Sequence, residues 1–376
     1  MRLADRVQQI EASRTNQMTP LIAKLRREGR SIINLAVGEP EDDTPGGIID
    51  ATKAALDARQ TRYGPVPGLS DLRAAIAGRY EGYDQDNIVI SNGSKQSLFS
   101  IFQVICNPGD EVIIPRPYWV SFPEQVKLAG GTPVLVDTRD HQLDGVAIEN
   151  AISPKTRALL INSPNNPTGA VYPRSDLEQI VRLAVKYDLY LVSDEAYRLF
   201  VYDGLRYESL FQFEQARERL ILTASFSKSY SMTGFRVGYT AATPAISHAI
   251  AKFQSHVSGN VCTFAQHGAL AALGQAEKDV ADQRSNLEKK RNLAYHYAAQ
   301  VFDCIKPQGA FYLFPDVSKH LSRGESADDF AAYLLANAGV AVVSGEAFGM
   351  PGHIRLSYAV AEESLRMGLE KILGVL

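Results

Sequence analysis

The sequence predicts an α/β protein: a mostly parallel sheet with helices on both faces, followed by a smaller α+β unit. Three observations carry this reading. The chain has 376 residues, too many for one small core. Short β-like runs alternate with helix-like segments through its middle, the pattern of a parallel sheet covered on both sides. Beyond about residue 280 the alternation gives way to one long helix and shorter strands.

Seven apolar runs read as strands: NIVIS (87–91), EVIIP (111–115), TPVLVDT (132–138), RALLINS (157–163), LYLVSDE (189–195), RLILTAS (219–225) and RVGYTAA (236–242). Between them, residues 95–106, 119–129, 174–187 and 244–254 show the apolar spacing of helices. Residues 276–300 carry a single long helical pattern. After it come AFYLFP, VAVVS and HIRLSYA as short strands, and the chain closes on a helix in EESLRMGLEKILGVL. There are no repeats, low-complexity tracts or Pro/Gly/Ser-rich linkers, so the two units are expected to dock tightly.

Composition narrows the function. Apolar content of 45% and charged content of 22% are ordinary for a globular protein. A net charge of −3 without a clustered Lys/Arg run gives no footprint for nucleic acid. No apolar run approaches a membrane span, and the start lacks the apolar stretch of a signal peptide, so a cytoplasmic protein is expected. Cys106, Cys262 and Cys304 are widely spaced in apolar sequence and read as buried free thiols. CxxC, HExxH and paired His ligands are missing, and no metal site is expected. The GxxxxGK and GxGxxG phosphate loops are missing too.

The noticeable polar residues collect at the ends of predicted strands, where open α/β sheets bind ligands. NIVIS runs into NGSKQSLF, a small-residue turn opening a helix, whose free N–H groups at Ser94 and Lys95 suit a phosphate; read alone, it is equally an N-cap and tight turn. RALLINS runs into the turn-rich SPNNPTGAVY, with Asn166. LYLVS ends at Asp194, with Tyr197 just beyond; a carboxylate there is often only a helix cap. Lys228 follows RLILTAS, and Arg236 opens the next run; each alone could be a snorkelling surface residue. Together they supply an amine nucleophile, an acid, an amide, a phosphate turn and a guanidinium at one edge. Pyridoxal 5'-phosphate needs that inventory: a Schiff-base lysine, an acid for the ring nitrogen and donors for the phosphate.

SFSKSYSMTGFRVG (225–238) resembles the cofactor-attachment signature of class I pyridoxal-phosphate-dependent aminotransferases. SPNNPTG, SDEAY, the early AVGEPEDDTP and the late HIRLSYA follow that family's order. GEP and PYWVSFPE are similar to its bacterial aspartate aminotransferase-like branch. The resemblance runs from about residue 5 to the C-terminus. It implies the fold type I architecture: a large domain with a mostly parallel seven-stranded sheet, plus a smaller α+β domain. It places an N-terminal arm and part of the small domain in 1–40, the cofactor-binding domain in 41–278 and the small domain in 279–376.

The same resemblance assigns roles. Lys228 is implied as the Schiff-base lysine and proton shuttle, Asp194 as partner of the ring nitrogen, and Tyr197 and Asn166 as partners of the phenolic oxygen. Trp119 would stack on the ring. Ser94, Lys95, Ser225, Ser227 and Arg236 would hold the phosphate. Arg355 matches the α-carboxylate arginine, with Gly38 beside that carboxylate, and Trp119 and Asn166 also border the substrate. In IRLSY, Arg355 alternates against Ile354, Leu356 and Tyr358, so it should face away from the core side. Tyr63, in RYGPVPG, matches a tyrosine that reaches the phosphate of the neighbouring subunit, which implies a homodimer with shared sites. Lys95, with Ser13 and Thr15, matches positions near the substrate's distal end.

The expected activity is transfer of the α-amino group between an amino acid, aspartate or glutamate first, and a 2-oxo acid by a ping-pong mechanism. Aromatic amino acids, prephenate or alanine as substrates, or a C–S lyase or decarboxylase of the same fold, are the alternatives. A ligand-sensing transcription regulator would carry a DNA-binding domain ahead of the match, and none is expected here.

Overall fold

The computed structural model describes residues 3–12 and 14–376, apart from the side chains of residues 14–17, 19 and 275. In chain order the strands are β1 (Ile33–Asn34), β2 (Ile88–Ser91), β3 (Glu111–Arg116), β4 (Thr132–Asp137), β5 (Thr156–Asn162), β6 (Tyr190–Asp194), β7 (Leu220–Ser225), β8 (Gly238–Ala241), β9 (Tyr312–Leu313), β10 (Val340–Ala341), β11 (Val343–Ser344) and β12 (Ile354–Ser357). The central sheet has seven strands in the order β2-β8-β7-β6-β5-β3-β4. From β4 through β7 every pairing is parallel. Only β8 is reversed, lying antiparallel to both β7 and β2.

Apolar runs with no polar alternation suit strands covered on both faces. On β5, Ala158 and Leu160 face one way, packing with Leu98, Phe102, Phe122 and Ile250. Leu159 and Ile161 face the other way, into the cluster of Ile48, Leu72, Leu177 and Ile180. The expected helices form as Ser94–Ile105, Ser121–Leu128, Arg174–Lys186 and Pro244–Ser255.

A second core surrounds the short strands. β9, β11 and β12 form an antiparallel sheet, and β10 pairs in parallel with β1. The expected strand VAVVS is therefore two: the chain changes partner at Val342, between β10 and β11. The long helix Glu277–Ala298 buries Leu287, Ala294 and Ala298 in this second core. Its fully buried Arg291 makes a two-pronged ion pair with Asp203, at 2.8 Å on each arm, and so ties the helix to a loop after β6. Leu35 donates to the Ala341 carbonyl and accepts from Ser357, so the segment after β1 enters from the small sheets.

The cysteines are all free, but only Cys106 is buried; Cys262 is exposed because it caps the helix Thr263–Gln275 at the surface. Among the described residues no helix is long and apolar enough to cross a membrane, and no His/Cys/Asp/Glu cluster could hold a metal ion.

Candidate active site

Strands β2, β5, β6 and β7 end at one edge of the central sheet. Because β8 runs the other way, its beginning lies at that edge, which is how Arg236 reaches it from the start of a strand. Arg236 itself sits in the left-handed region (φ 58°) just before β8, not within the strand as the run RVGYTAA implied. A cavity of about 460 Å³ opens at this edge, between the central sheet and the small sheets. Gly38, Ser94, Lys95, Trp119, Asn166, Asp194, Tyr197, Ser225, Ser227, Lys228, Arg236 and Arg355 all line it.

One end is built for an anion. Gly93 precedes the helix Ser94–Ile105 and offers no side-chain cap; its carbonyl accepts from Gln96 N–H, and the N–H groups of Ser94 and Lys95 have no partner among the described residues. Arg236 donates to Thr233 O (2.8 Å), Asn92 O (3.2 Å) and Ser227 Oγ (3.4 Å), which fixes its guanidinium beside that turn. A Cβ at Gly93 would lie 2.6 Å from Arg236 Nη2; glycine leaves the room. Ser225 caps the short helix Phe226–Ser229 by accepting from Ser227 N–H, so both serines border the same space. An N-terminus, a guanidinium and two hydroxyls form a cradle suited to an anion.

Deeper in, the end of β6 buries Asp194. One carboxylate oxygen accepts from Ala196 N–H at 3.1 Å, and no described residue forms an ion pair with it. Burial pushes its pKa up to about 7, with nearby Glu195 adding and the Ala196 bond opposing. A carboxylate held in this way is suited to a cationic partner inside the cavity. Asn162, ending β5, ties the site's frame by donating to the Asp194 carbonyl and accepting from Asn166 N–H.

Lys228 is half-buried and donates to the Gly38 carbonyl. Burial lowers its pKa to about 8; Arg236, Arg355 and Lys95 push the same way, and Glu39 opposes them. The amine is therefore partly neutral near pH 8, as a nucleophilic lysine requires. Four cations, Lys95, Lys228, Arg236 and Arg355, meet two carboxylates, Glu39 and Asp194, around the cavity, which therefore favours anions.

Arg355 lies on β12 with 3% of its surface exposed, so the side facing away from the core is the cavity rather than solvent. Its guanidinium donates to Asn166 Oδ1 (3.0 Å) and Ala36 O (3.2 Å) and lies 4.3 Å over the Tyr312 ring. Arg355 Nε is buried and has no partner among the described residues.

The model of the family described as "Aminotransferase class I and II" matches residues 30–372. The chain belongs to the class I and II aminotransferases. It is 39% identical over 383 residues to the aspartate aminotransferase of Bacillus sp. (strain YM-2), covering 98% of each protein. It is 40% identical over 383 residues to a probable aspartate/prephenate aminotransferase of Aquifex aeolicus (strain VF5), covering 98% of this chain and 97% of that protein. The structure of Thermus thermophilus aspartate aminotransferase with maleate superposes with a TM-score of 0.95 at 38% identity, covering 100% of both chains. The chain is thus an amino acid aminotransferase, of a family that in general depends on pyridoxal phosphate.

Not every expected residue of this aminotransferase reaches the cavity. Tyr63 is 99% exposed and lies outside it. Ser13 lies outside the described residues, as does the side chain of Thr15. Lys95 does reach it, with its ammonium 5.0 Å over the Trp119 ring. Asn34, Glu39, Asn162 and Tyr312 also line the cavity and were not among the expected residues. Asn162 ends a strand at the ligand edge and was findable by that rule. Tyr312 sits in the apolar run AFYLFP, where nothing separates it from core.

Proposed function

We propose that this aminotransferase moves the α-amino group of aspartate or glutamate to a 2-oxo acid in two ping-pong half-reactions, with pyridoxal 5'-phosphate in this cavity. When bound, pyridoxal phosphate takes up the amino group and acts as electron sink for the bond broken at Cα. The cavity fits that group on two counts: the buried, unpaired Asp194 and the glycine-spaced anion cradle. Arg236, Ser225, Ser227 and the amides of Ser94 and Lys95 would hold the phosphate. Asp194 would pair with the ring nitrogen, and its own burial cost would be offset by that positive charge. Trp119 would cover the ring face, and Tyr197 with Asn166 would meet the phenolic oxygen. Lys228 would bind the cofactor and then move the proton at Cα, its lowered pKa letting it both accept and release that proton.

Lys95 carries the substrate reading. With the anion cradle served by Arg236 and the α-carboxylate by Arg355, its ammonium is the remaining cation of the cavity and no described carboxylate pairs with it. A second substrate carboxylate suits it. A flexible lysine can also swing aside where a fixed arginine could not, which favours prephenate or aromatic substrates as a second activity.

We read residues 41–278 as the cofactor-binding domain, 279–376 as the small domain, and 1–40 as an N-terminal arm with part of the small domain; the separate cores of the two sheet systems support that division. The reading includes a homodimer in which Tyr63 reaches the partner's phosphate, supported by its near-complete exposure in one chain, and a cytoplasmic location. The test is a panel of amino acids against 2-oxoglutarate, with the visible cofactor band followed throughout. Aspartate and glutamate should give the highest kcat/KM, and an amino acid added alone should convert the cofactor to its amine form. Release of ammonia or carbon dioxide in place of that conversion would mark a lyase or a decarboxylase.

A further inference from the structure

We infer that Tyr312 is a positioning residue for the transfer, linking the carboxylate-binding Arg355 to the phenol of Tyr197. The inference rests on the pyridoxal phosphate reading above. Four side chains close a ring. Arg355 Nη1 donates to Asn166 Oδ1 at 3.0 Å, and Asn166 Nδ2 donates to the Tyr197 hydroxyl at 3.5 Å. The Tyr197 and Tyr312 hydroxyls are 2.9 Å apart, and the Tyr312 ring lies 4.3 Å beneath the Arg355 guanidinium. Tyr312 and Arg355 sit on the neighbouring strands β9 and β12, whereas Asn166 and Tyr197 come from the edge of the central sheet. The ring therefore closes between the two sheet systems, and all four residues are buried.

Each half of Tyr312 has its own consequence. The ring fixes the plane of the guanidinium, so that Nη1 and Nη2 reach Asn166 and Ala36 while Nε stays unpaired among the described residues. The hydroxyl has Tyr197 as its only hydrogen-bond partner among the described residues. Tyr197 has one proton to give. Once that proton points to a phenolate oxygen in the cavity, the only productive arrangement has Tyr312 donating to Tyr197. A hydrogen bond received makes Tyr197 the stronger donor. The groups facing the Tyr197 phenol are Tyr312 from β9, Asn166 from the loop after β5, Arg355 from β12 and Asp194 from β6; the Tyr312 hydroxyl, at 2.9 Å, stands closer to its oxygen than the Asn166 amide at 3.5 Å.

The experiment compares Tyr312→Phe, Tyr312→Leu, Tyr197→Phe and the double variant Tyr197→Phe/Tyr312→Phe as holoenzymes. It reads the pH midpoint of the visible cofactor band together with kcat and KM. Tyr312→Phe should raise the midpoint by about half a unit or more while KM for the amino donor stays within about twofold. Tyr312→Leu should in addition raise KM about tenfold, because the guanidinium loses its platform. In the Tyr197→Phe background, adding Tyr312→Phe should move the midpoint no further. An unshifted midpoint in Tyr312→Phe, or an equal shift with and without Tyr197, overturns the inference. Tyr312→Phe keeps the aromatic ring, so it decides the matter even where Tyr312→Leu fails to fold. Wild type that shows no visible band with pyridoxal phosphate would instead overturn the cofactor reading itself.

Discussion

Gly238 opens β8 directly against the turn before the helix Ser94–Ile105: a Cβ there would lie 2.5 Å from the Ser94 amide nitrogen and 2.6 Å from the Gly93 carbonyl carbon. Both neighbours are backbone, so a methyl group can be admitted only by moving the amides proposed to hold the phosphate. Gly238→Ala should weaken pyridoxal phosphate binding by about tenfold to a hundredfold, with a stability loss of about 1–3 kcal/mol. Absorbance titration of the cofactor beside thermal melts measures both. Wild-type affinity in the variant would show that these amides do not hold the phosphate.

Asp194 predicts a stability change of opposite sign to its effect on activity. Its folded-state pKa, about 7, lies above the value near 3.9 of an unfolded chain. The folded protein holds the extra proton between those values, so this group's contribution to stability falls as pH rises through that window. Asp194→Asn removes the charge and keeps an acceptor for Ala196 N–H. The cofactor-free variant should melt higher than wild type at pH 8, by about 2–5 °C, with a smaller gain at pH 5.5. Turnover with cofactor should fall by at least about a hundredfold. Equal gains at the two pH values would show that Asp194 is not a buried, unpaired carboxylate.

Much of this was readable in the sequence because the polar residues interrupt apolar strands. Asp194 and Lys228 stand out by charge at the ends of β6 and β7, and the sheet brings those ends to one edge. The reversal of β8 was not readable: RVGYTAA has the same apolar run as its parallel neighbours, and only pairing with β2 and β7 shows that its start belongs to the site. VAVVS hid its change of partner at Val342 for the same reason, since apolar residues carry no register. Tyr312 was lost because an aromatic residue in an apolar run is ordinarily core; its role depends on Arg355 lying above the ring.

Lys228 should react as an amine with a pKa near 8. The rate of covalent capture of pyridoxal phosphate should rise with pH through about 8, well below the midpoint of a free lysine, because the neutral amine is the nucleophile. Glu39 opposes the lowering, so Glu39→Gln should move the midpoint further down. Lys228→Ala should still bind the cofactor by its phosphate yet form no covalent adduct. Stopped-flow rates against pH, then borohydride reduction and peptide mapping, check each statement; a label on another lysine would refute the assignment.

Tyr63 projects nearly all of its surface outward, beside Arg62, whose carbonyl accepts from Thr263 Oγ1 at 3.0 Å. If Tyr63 crosses to the partner, a hybrid of one Tyr63→Phe chain and one Lys228→Ala chain holds one site with both lesions and one with neither. Such hybrids should keep about half the wild-type activity, and their active sites should bind cofactor as wild type does. Weakened cofactor binding in those active sites would place Tyr63 in its own chain's site, and loss of activity in Tyr63→Phe homodimers alone would not distinguish the two arrangements.

Lys95 is the residue proposed to set substrate choice. Lys95 is exposed by surface area, yet partial desolvation at the cavity wall lowers its pKa and Arg236 adds to the effect, so an incoming carboxylate that completes the desolvation would gain from the pairing. Its position over the Trp119 ring already partly replaces lost water by a cation–π contact, which a substrate anion must outcompete or share. A desolvated ammonium–carboxylate pair contributes on the order of 2–3 kcal/mol, a wet one close to nothing. Lys95→Ala should therefore lower kcat/KM for aspartate by about thirtyfold to a hundredfold and leave alanine and phenylalanine within about threefold. Lys95→Arg should keep the charge but hold it in a wider, more rigid fork, costing phenylalanine more than aspartate. The measurement is kcat/KM for the three donors in wild type and both variants. An equal loss for all three after Lys95→Ala would assign Lys95 to the cofactor rather than to the distal carboxylate.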